Sequence, residues 1–200
     1  MSLLLTRQSI SKRLASFKPK AENTGYLMFK HPVGVSPISA AVLVPIVHRA
    51  DRLCILLTKR TDHLNNHAGQ ISFPGGRVSD EDANRQMTAL RETQEEIGLN
   101  LDESALLGQL PEYDIRTGFR VTPVVAWIEP PIDCVLDPFE VASIFEVPMD
   151  FVLDLGNYKI SSSSDASDKR YFYRLPYLEH DIWGATAGML HILASAMSDV

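Results

Sequence analysis

The chain has 200 residues, of which 45% are hydrophobic and 22% are charged, and its formal net charge is −6. This size and composition are typical of one globular domain with a substantial core. The acidic balance and the absence of a basic run argue against a nucleic-acid-binding protein, and the longest apolar run, residues 40–46, is too short to span a membrane.

A helix and a linker are predicted ahead of the main domain. Residues 9–17 place their large apolar side chains on one side of a short amphipathic helix. Residues 18–37 contain three prolines and two glycines, which favour an irregular arm over regular structure. We therefore expect residues 1–37 to form an N-terminal helix and linker arm, and residues 38–200 to form a single domain.

The domain is predicted to combine short strands with helices. The apolar segments 40–47 and 53–58 flank a polar turn and indicate a hairpin. The other predicted elements are strands over 70–73, 121–128 and 141–147, a helix over 149–155, a second hairpin over 158–162 and 170–175, and a closing helix over 185–197. This mixture predicts an α/β fold, with a mixed α+β sheet between helices.

The most informative segment, residues 73–99, contains an acidic helix. On a helix, Glu92, Glu95 and Glu96 fall at i, i+3 and i+4, so their carboxylates share an arc of about 100°. Like charges at this spacing destabilise a helix unless they are neutralised, and clustered carboxylate oxygens suit hard divalent cations such as Mg²⁺. A bound cation would also let an acidic protein accept an anionic substrate.

The opposite face of this helix is predicted to pack on the core through Ala83, Met87, Leu90 and Ile97. Ser79 or Asp80 is the expected N-cap, and Gly98 is expected to end the helix. Simpler interpretations stay open for each part of the segment. The glutamates can be a solvated surface, Gly75 and Gly76 an ordinary turn, and Arg91 the i−4 ion-pair partner of Glu95.

This segment resembles the Nudix box of pyrophosphohydrolases, G-x5-E-x7-R-E-U-x-E-E-x-G-U, where U is aliphatic. The matching residues are Gly76, Arg91, Glu92, Glu95, Glu96, Gly98 and Leu99. Three features depart from the pattern: one extra residue precedes Arg91, Asp82 replaces the first glutamate or that glutamate is displaced, and Thr93 takes an aliphatic position. A longer box with an aspartate is similar to the coenzyme A diphosphatase branch of the family.

The flanking segments also resemble that branch, whose upstream signature is L-L-T-x-R-[SA]-x3-R-x3-G-x3-F-P-G-G. The chain matches it at 56–60, Gly69 and 73–76, whereas Thr61 replaces Ser or Ala and Asn65 replaces the second Arg. An amide does not replace an arginine fork at a phosphate site, so the second departure is the more serious. Segments 117–125 and 183–187 resemble the branch as well, and the likeness extends over residues 38–195.

The resemblance implies an α/β/α sandwich of the Nudix type and a metal-dependent active site. Glu92, Glu95 and Glu96, with the carbonyl of Gly75 or Gly76, would bind Mg²⁺ or Mn²⁺, and Arg91 would orient the glutamates. One carboxylate must accept a proton from the attacking water. Our candidate outside the box is Glu140, for which a surface charge is the alternative. The residues predicted to meet substrate phosphates are Arg60, Lys59, Arg77, Arg116 and Arg120.

The implied activity is hydrolysis of coenzyme A or an acyl derivative to adenosine 3′,5′-bisphosphate and (acyl)phosphopantetheine. The alternatives are hydrolysis of another nucleoside diphosphate derivative such as ADP-ribose, or a Nudix domain that senses a ligand without turnover. The expected partner is a small nucleotide, with neither nucleic acid nor membrane, and the oligomeric state stays open. Cys54 and Cys134 show no metal or disulfide pattern and no targeting signal is present, so we expect a cytoplasmic protein.

Overall fold

The computed structural model describes residues 5–18, 31, 34–63, 68–163 and 171–198. Helix α1 (Arg7–Ser16) begins two residues earlier than predicted, because Thr6 and Ser9 form a reciprocal capping box. Its Ile10 and Leu14 are buried in the main hydrophobic core. Most of the predicted arm, residues 19–30 and 32–33, lies outside the described residues, and the boundary between residues 37 and 38 stays a prediction.

In the described part of the chain, eight strands form the central sheet, whose middle pair is parallel while the other pairs are antiparallel. The spatial order is β3-β2-β1-β7-β5, with β4 paired to β1, β6 to β7 and β8 to β2. This mixed sheet confirms the predicted fold class. Its strands are β1 (Ile38–His48), β2 (Leu53–Arg60), β3 (Ile71–Ser72), β4 (Gly75–Arg77), β5 (Leu106–Gln109), β6 (Tyr113–Asp114), β7 (Phe119–Ile128) and β8 (Val141–Pro148).

Helices cover both faces of the sheet, because successive side chains of a strand point to opposite sides. On one face, Leu43 and Val124 pack against Leu90 of α2 (Arg85–Ile97). On the other face, Val44 packs with Leu190 of α4 (Gly184–Ser198), with α1 and with the short helix α3 (Met149–Leu153). The result is the expected α/β/α sandwich.

A second, antiparallel sheet precedes the closing helix. It contains β9 (Lys159–Ser162), β10 (Tyr171–Tyr177) and β11 (His180–Trp183). The pairing of β9 with β10 confirms the predicted second hairpin, although residue 170, its predicted start, lies outside the described residues. Strand β11 was not predicted. Among the residues that the structure describes, the remaining regular segments are single 3₁₀ turns at Glu103–Ala105 and Leu155–Asn157.

The acidic helix α2 begins later than predicted. Its N-cap is Asn84, whose side chain accepts the backbone N–H of Met87 at 2.9 Å, so Ser79 and Asp80 as N-caps were wrong. Ser79 instead donates its backbone N–H to Asp82, which closes a turn before the helix, and Ala83 is exposed ahead of it. Gly98 ends the helix as predicted, with a left-handed φ of 69°.

No helix in the described part of the chain has the length and apolar content needed to cross a membrane.

Candidate active site

Glu92, Glu95 and Glu96 form the acidic edge of α2, and Glu96 is its buried member. Its side chain is 5% exposed, accepts the backbone N–H of Gly75 at 3.2 Å and lies 3.6 Å from the Arg60 guanidinium. Burial raises the pKa of Glu96 to about 8, and the nearby charges of Glu140 and Glu92 act in the same direction, while Gly75 and Arg60 oppose them. The charged form of Glu96 is therefore disfavoured in the folded protein, and a nearby cation would stabilise it.

Glu92 lies directly against the segment at residues 73–76 that leads into β4, which we call the glycine turn. A Cβ atom at residue 76 would overlap the Glu92 carboxylate, so Gly76 is required for this close approach. Burial raises the pKa of Glu92, the Arg91 guanidinium lowers it, and Glu95 and Glu140 raise it further. The turn and the helix thus bring a backbone segment and two carboxylates together, as the sequence analysis expected.

Arg91 contacts three carboxylates, those of Asp82 in the loop before α2 and of Glu92 and Glu95 within the helix. It forms a bidentate pair with Asp82, from Nε to Oδ1 at 2.9 Å and from Nη2 to Oδ2 at 3.0 Å. Its Nη1 lies 2.9 Å from both Glu92 and Glu95. Asp82 is thus the charge partner of Arg91. The hydrogen bonds that it accepts from Arg91 lower the pKa of Asp82 well below the usual range.

Glu140 reaches the acidic edge from the loop before β8. Its carboxylate is 3.9 Å from Arg60, and its side chain is 47% exposed. The loop is hydrogen-bonded to both neighbouring elements: Thr61 donates its backbone N–H to the carbonyl of Glu140 and its hydroxyl to that of Phe139, and Asp137 donates to the carbonyl of Glu96. Thr61, a departure from the branch signature, therefore helps to hold this loop.

The acidic residues fit a divalent cation by their donor chemistry, although their side chains are not assembled as a ready ligand set. Within the described ranges, no three His, Cys, Asp or Glu side chains converge closely enough to hold a metal ion. Glu95 turns toward Arg91 and is 58% exposed. The like charges of Glu92, Glu96 and Glu140 nevertheless oppose one another, and their oxygen atoms suit Mg²⁺ or Mn²⁺. Metal binding therefore stays a prediction.

A pocket of about 700 Å³ opens beside the glycine turn, within the usual range for small-molecule sites. Its lining includes both glycines of the turn, three arginines and many apolar or aromatic side chains. The arginines are Arg60, Arg77 and Arg116, and the aromatic side chains are Phe73, Tyr113, Phe119, Tyr171, Phe172 and Trp183. The pocket therefore combines charged side chains with a largely apolar lining.

The predicted phosphate-binding residues fall into two groups. Arg60, Arg77 and Arg116 line the pocket, and the Arg77 guanidinium lies 5.1 Å from the centre of the Phe119 ring. The Arg120 guanidinium is paired with Asp114 at 2.7 and 2.9 Å, and neither Arg120 nor Lys59 is among the described residues of the lining. Substrate contacts by any of them stay predictions.

The sequence analysis did not identify the pocket wall contributed by β10 and β11. Phe172 and Tyr171 belong to that wall, together with Trp183, which had been noted only as part of a resembling segment. The aromatic run 171–173 was a visible signal, but its spacing does not show which side chain faces a pocket. Asn65, the second departure from the branch signature, lies outside the described residues.

Comparison with known proteins places these features in context. The NUDIX domain profile matches residues 37–144. The chain is 43% identical over 155 residues to the "Uncharacterized Nudix hydrolase NudL" of Citrobacter koseri, covering 78% of this chain and 80% of the relative. It is 41% identical to the protein of the same name from Escherichia coli over the same shares.

A solved structure with a similar fold is a NUDIX hydrolase from Alicyclobacillus acidocaldarius. It aligns with a TM-score of 0.51 and 18% identity, over 84% of this chain and 98% of that one. At this level of identity, the similarity concerns the fold.

Proposed function

Since this chain belongs to the NUDIX domain family and is a Nudix hydrolase, we propose that it cleaves the diphosphate of coenzyme A or an acyl derivative. The products are adenosine 3′,5′-bisphosphate and (acyl)phosphopantetheine. One observation carries the proposal: residues of the upstream signature and of both later segments that resemble the coenzyme A branch line one pocket. They include Arg60, residues 73 and 75–76, residues 117 and 119, and residues 183–186.

The active site is proposed to bind Mg²⁺ or Mn²⁺ through Glu92, Glu95 and Glu96, with the carbonyl of Gly76 as a further oxygen. When bound, such an ion neutralises charge on the diphosphate oxygens and lowers the pKa of a coordinated water. Arg91 holds the glutamates in place through its contacts with Asp82 and Glu95.

Glu140 is the proposed general base. It is partly exposed at the acidic edge and is held there by the hydrogen bonds of its loop. Arg60 and Arg77 are proposed to bind the substrate phosphates, because both line the pocket beside the glycine turn. Arg120 and Lys59 are proposed as outer phosphate contacts, and Arg120 would have to exchange its partner Asp114 for the substrate.

A substrate panel tests the proposal. Coenzyme A, acetyl-coenzyme A, dephospho-coenzyme A and ADP-ribose are incubated with the protein and Mg²⁺ or Mn²⁺, and the products are separated by chromatography. We expect coenzyme A or its acyl derivative to have the highest kcat/KM. Faster hydrolysis of ADP-ribose favours the second candidate, another nucleoside diphosphate derivative, and no turnover with any substrate favours a sensing module.

Asn65 provides a test within the coenzyme A assignment. It stands where the branch signature has an arginine, and a lost charge-assisted contact weakens phosphate binding roughly ten- to a hundredfold. We predict a high KM for coenzyme A, and we predict that Asn65→Arg improves kcat/KM more for coenzyme A than for dephospho-coenzyme A, which lacks the 3′-phosphate. Equal gains on both substrates would show that residue 65 does not contact that phosphate.

A further inference from the structure

We infer that Phe172 and Trp183 form a stacking site for the nucleobase of the substrate. The starting observation is a pair of aromatic rings on one wall of the pocket, with centroids 5.6 Å apart and planes tilted by 57°. Both rings lie beyond residue 144, where the match to the family domain ends. The wall therefore lies outside the segment that the family profile matches.

The strand register places these two side chains on the same side of the small sheet. Leu175 on β10 is paired with Ile182 on β11, and both are fully buried against the main core. Phe172 is three residues from Leu175, and Trp183 is one residue from Ile182, so both rings point to the other side of this sheet. Burial of Leu175 and Ile182 fixes this orientation, and both rings line the pocket together with Tyr171, the first residue of β10.

The exposure of the indole indicates which part of a nucleotide it binds. Trp183 is 41% exposed, so a ring stacked on it keeps its polar edges in water. A planar base has a rigid π-face and loses little conformational entropy when it stacks, whereas the flexible pantetheine arm loses much more. Arg77 and Arg116 line the same pocket, and their guanidinium groups suit the phosphate of the same nucleotide.

Tryptophan fluorescence gives a direct measurement, because the chain has only two tryptophans. Trp127 is 7% exposed and donates its ring N–H to Glu129, whereas Trp183 borders the pocket. Titration with AMP should quench the fluorescence saturably, and Trp183→Phe should remove that quenching. Absence of quenching in the wild type, or its persistence in Trp183→Phe, would overturn the inference.

Calorimetry with three probes separates the base from the other parts of the substrate. Trp183→Ala and Phe172→Leu should each weaken AMP binding, by roughly tenfold for Trp183→Ala. Binding of ribose 5-phosphate and of phosphopantetheine should stay unchanged. The matched control is Leu178→Ala, which removes an exposed apolar side chain from the turn of the same hairpin. Unchanged AMP affinity in both variants, or a selective loss of phosphopantetheine binding, overturns the stacking site.

This inference rests on the proposed function only in assigning a nucleoside diphosphate derivative as substrate. The three probes contain no diphosphate and are not hydrolysed, so their binding is independent of turnover. If the substrate panel rejects coenzyme A while AMP binding still depends on Trp183, the proposed substrate is wrong and the stacking site is right. If coenzyme A is hydrolysed and AMP binding does not depend on Trp183, the proposed substrate is right and the stacking site is wrong.

Discussion

Arg91 connects the acidic edge to the loop that precedes the helix. The box carries one residue more than the family pattern and has Asp82 in place of a glutamate. The structure shows that Asp82 nevertheless meets the Arg91 guanidinium with both of its oxygens. The shorter side chain is accommodated because the turn at Ser79 brings it close, so the departure in sequence preserves the charge pairing in space.

Glu95 allows a test of metal binding that is independent of folding. Its side chain is 58% exposed, and a surface ion pair such as the one with Arg91 contributes little to stability. We predict that Glu95→Gln lowers kcat by about two orders of magnitude or more, with an unchanged melting temperature, because a metal ligand is lost. The measurement is steady-state kinetics with Mg²⁺ or Mn²⁺.

The control is Glu81→Gln, which changes an exposed carboxylate outside the acidic edge. It should retain wild-type activity. A Glu95→Gln variant that also retains most of its activity would remove Glu95 from the proposed ligand set. In the wild type, a chelator should abolish turnover and added Mg²⁺ or Mn²⁺ should restore it.

At the scale of elements, α2 depends on its loop and α1 belongs to the main core. Asp82 is 5% exposed and accepts hydrogen bonds from Arg91, Thr88 and the backbone of Ser79. On the other face of the sheet, Arg13 of α1 donates to the carbonyl of Met197 at 2.6 Å, and Ser11 donates to that of Leu107. Contacts with distant parts of the chain thus fix α1, whereas the loop directly before α2 fixes that helix.

We predict that Asp82→Asn lowers the free energy of unfolding by about 2 kcal/mol at neutral pH, because charged hydrogen bonds to Arg91 are lost. The pKa of Asp82 is lowered from its ordinary value of 3.8, so this contribution is full above that pH and is lost as the pH falls. Urea unfolding at pH 7 and pH 3 measures this contribution. The difference in free energy of unfolding between wild type and Asp82→Asn should be smaller at pH 3 than at pH 7. Asp80→Asn, at an exposed position of the same loop, is the control and should have little effect.

A second prediction concerns α1. Ile10 is fully buried in the same core as β1 and α4, so Ile10→Ala should destabilise the whole domain by about 2–4 kcal/mol and leave unfolding cooperative. Chemical denaturation followed by circular dichroism measures the change, and Lys12→Ala, at an exposed site of α1, is the control. A separate early transition would instead show that the helix folds apart from the domain.

For the molecule as a whole, Glu96 couples stability to pH and to metal. Its pKa is raised from 4.5 to about 8 by burial, so the folded protein favours the protonated form. Without metal, the stability contributed by this group is full below about pH 4.5 and is lost as the pH rises through about 8. A loss on the order of a few kcal/mol is expected.

Thermal unfolding in chelator at pH 5.5 and pH 8.5 measures this dependence, and Glu96→Gln should reduce it. A cation that binds the folded state replaces the proton, so millimolar Mg²⁺ or Mn²⁺ should raise the melting temperature, and more at pH 8.5 than at pH 5.5. If neither ion shifts the melting temperature at either pH, the proposed metal site is not formed without substrate.

The sequence by itself determined the local features and the chemistry. The glutamate spacing, the end of α2 at Gly98, the β1–β2 hairpin and the closing helix depend on side-chain periodicity and on residues close in the chain, so they are visible in one dimension. The same local signals placed the N-cap of α2 wrongly, because several polar residues compete there. The pairing of Asp82 with Arg91 leaves that role to Asn84.

Only the tertiary structure decided what faces the pocket. Arg60, the glycine turn, Phe119 and Trp183 are far apart in the chain and meet through the parallel pairing of β1 with β7 and through the sheet of β10 and β11. Arg120, one residue from Phe119, instead pairs with Asp114. Adjacent residues of a strand point to opposite faces of the sheet, and the burial of residues distant in the chain selects the register of strand pairing. Sequence spacing alone therefore cannot show which of two adjacent residues lines the site.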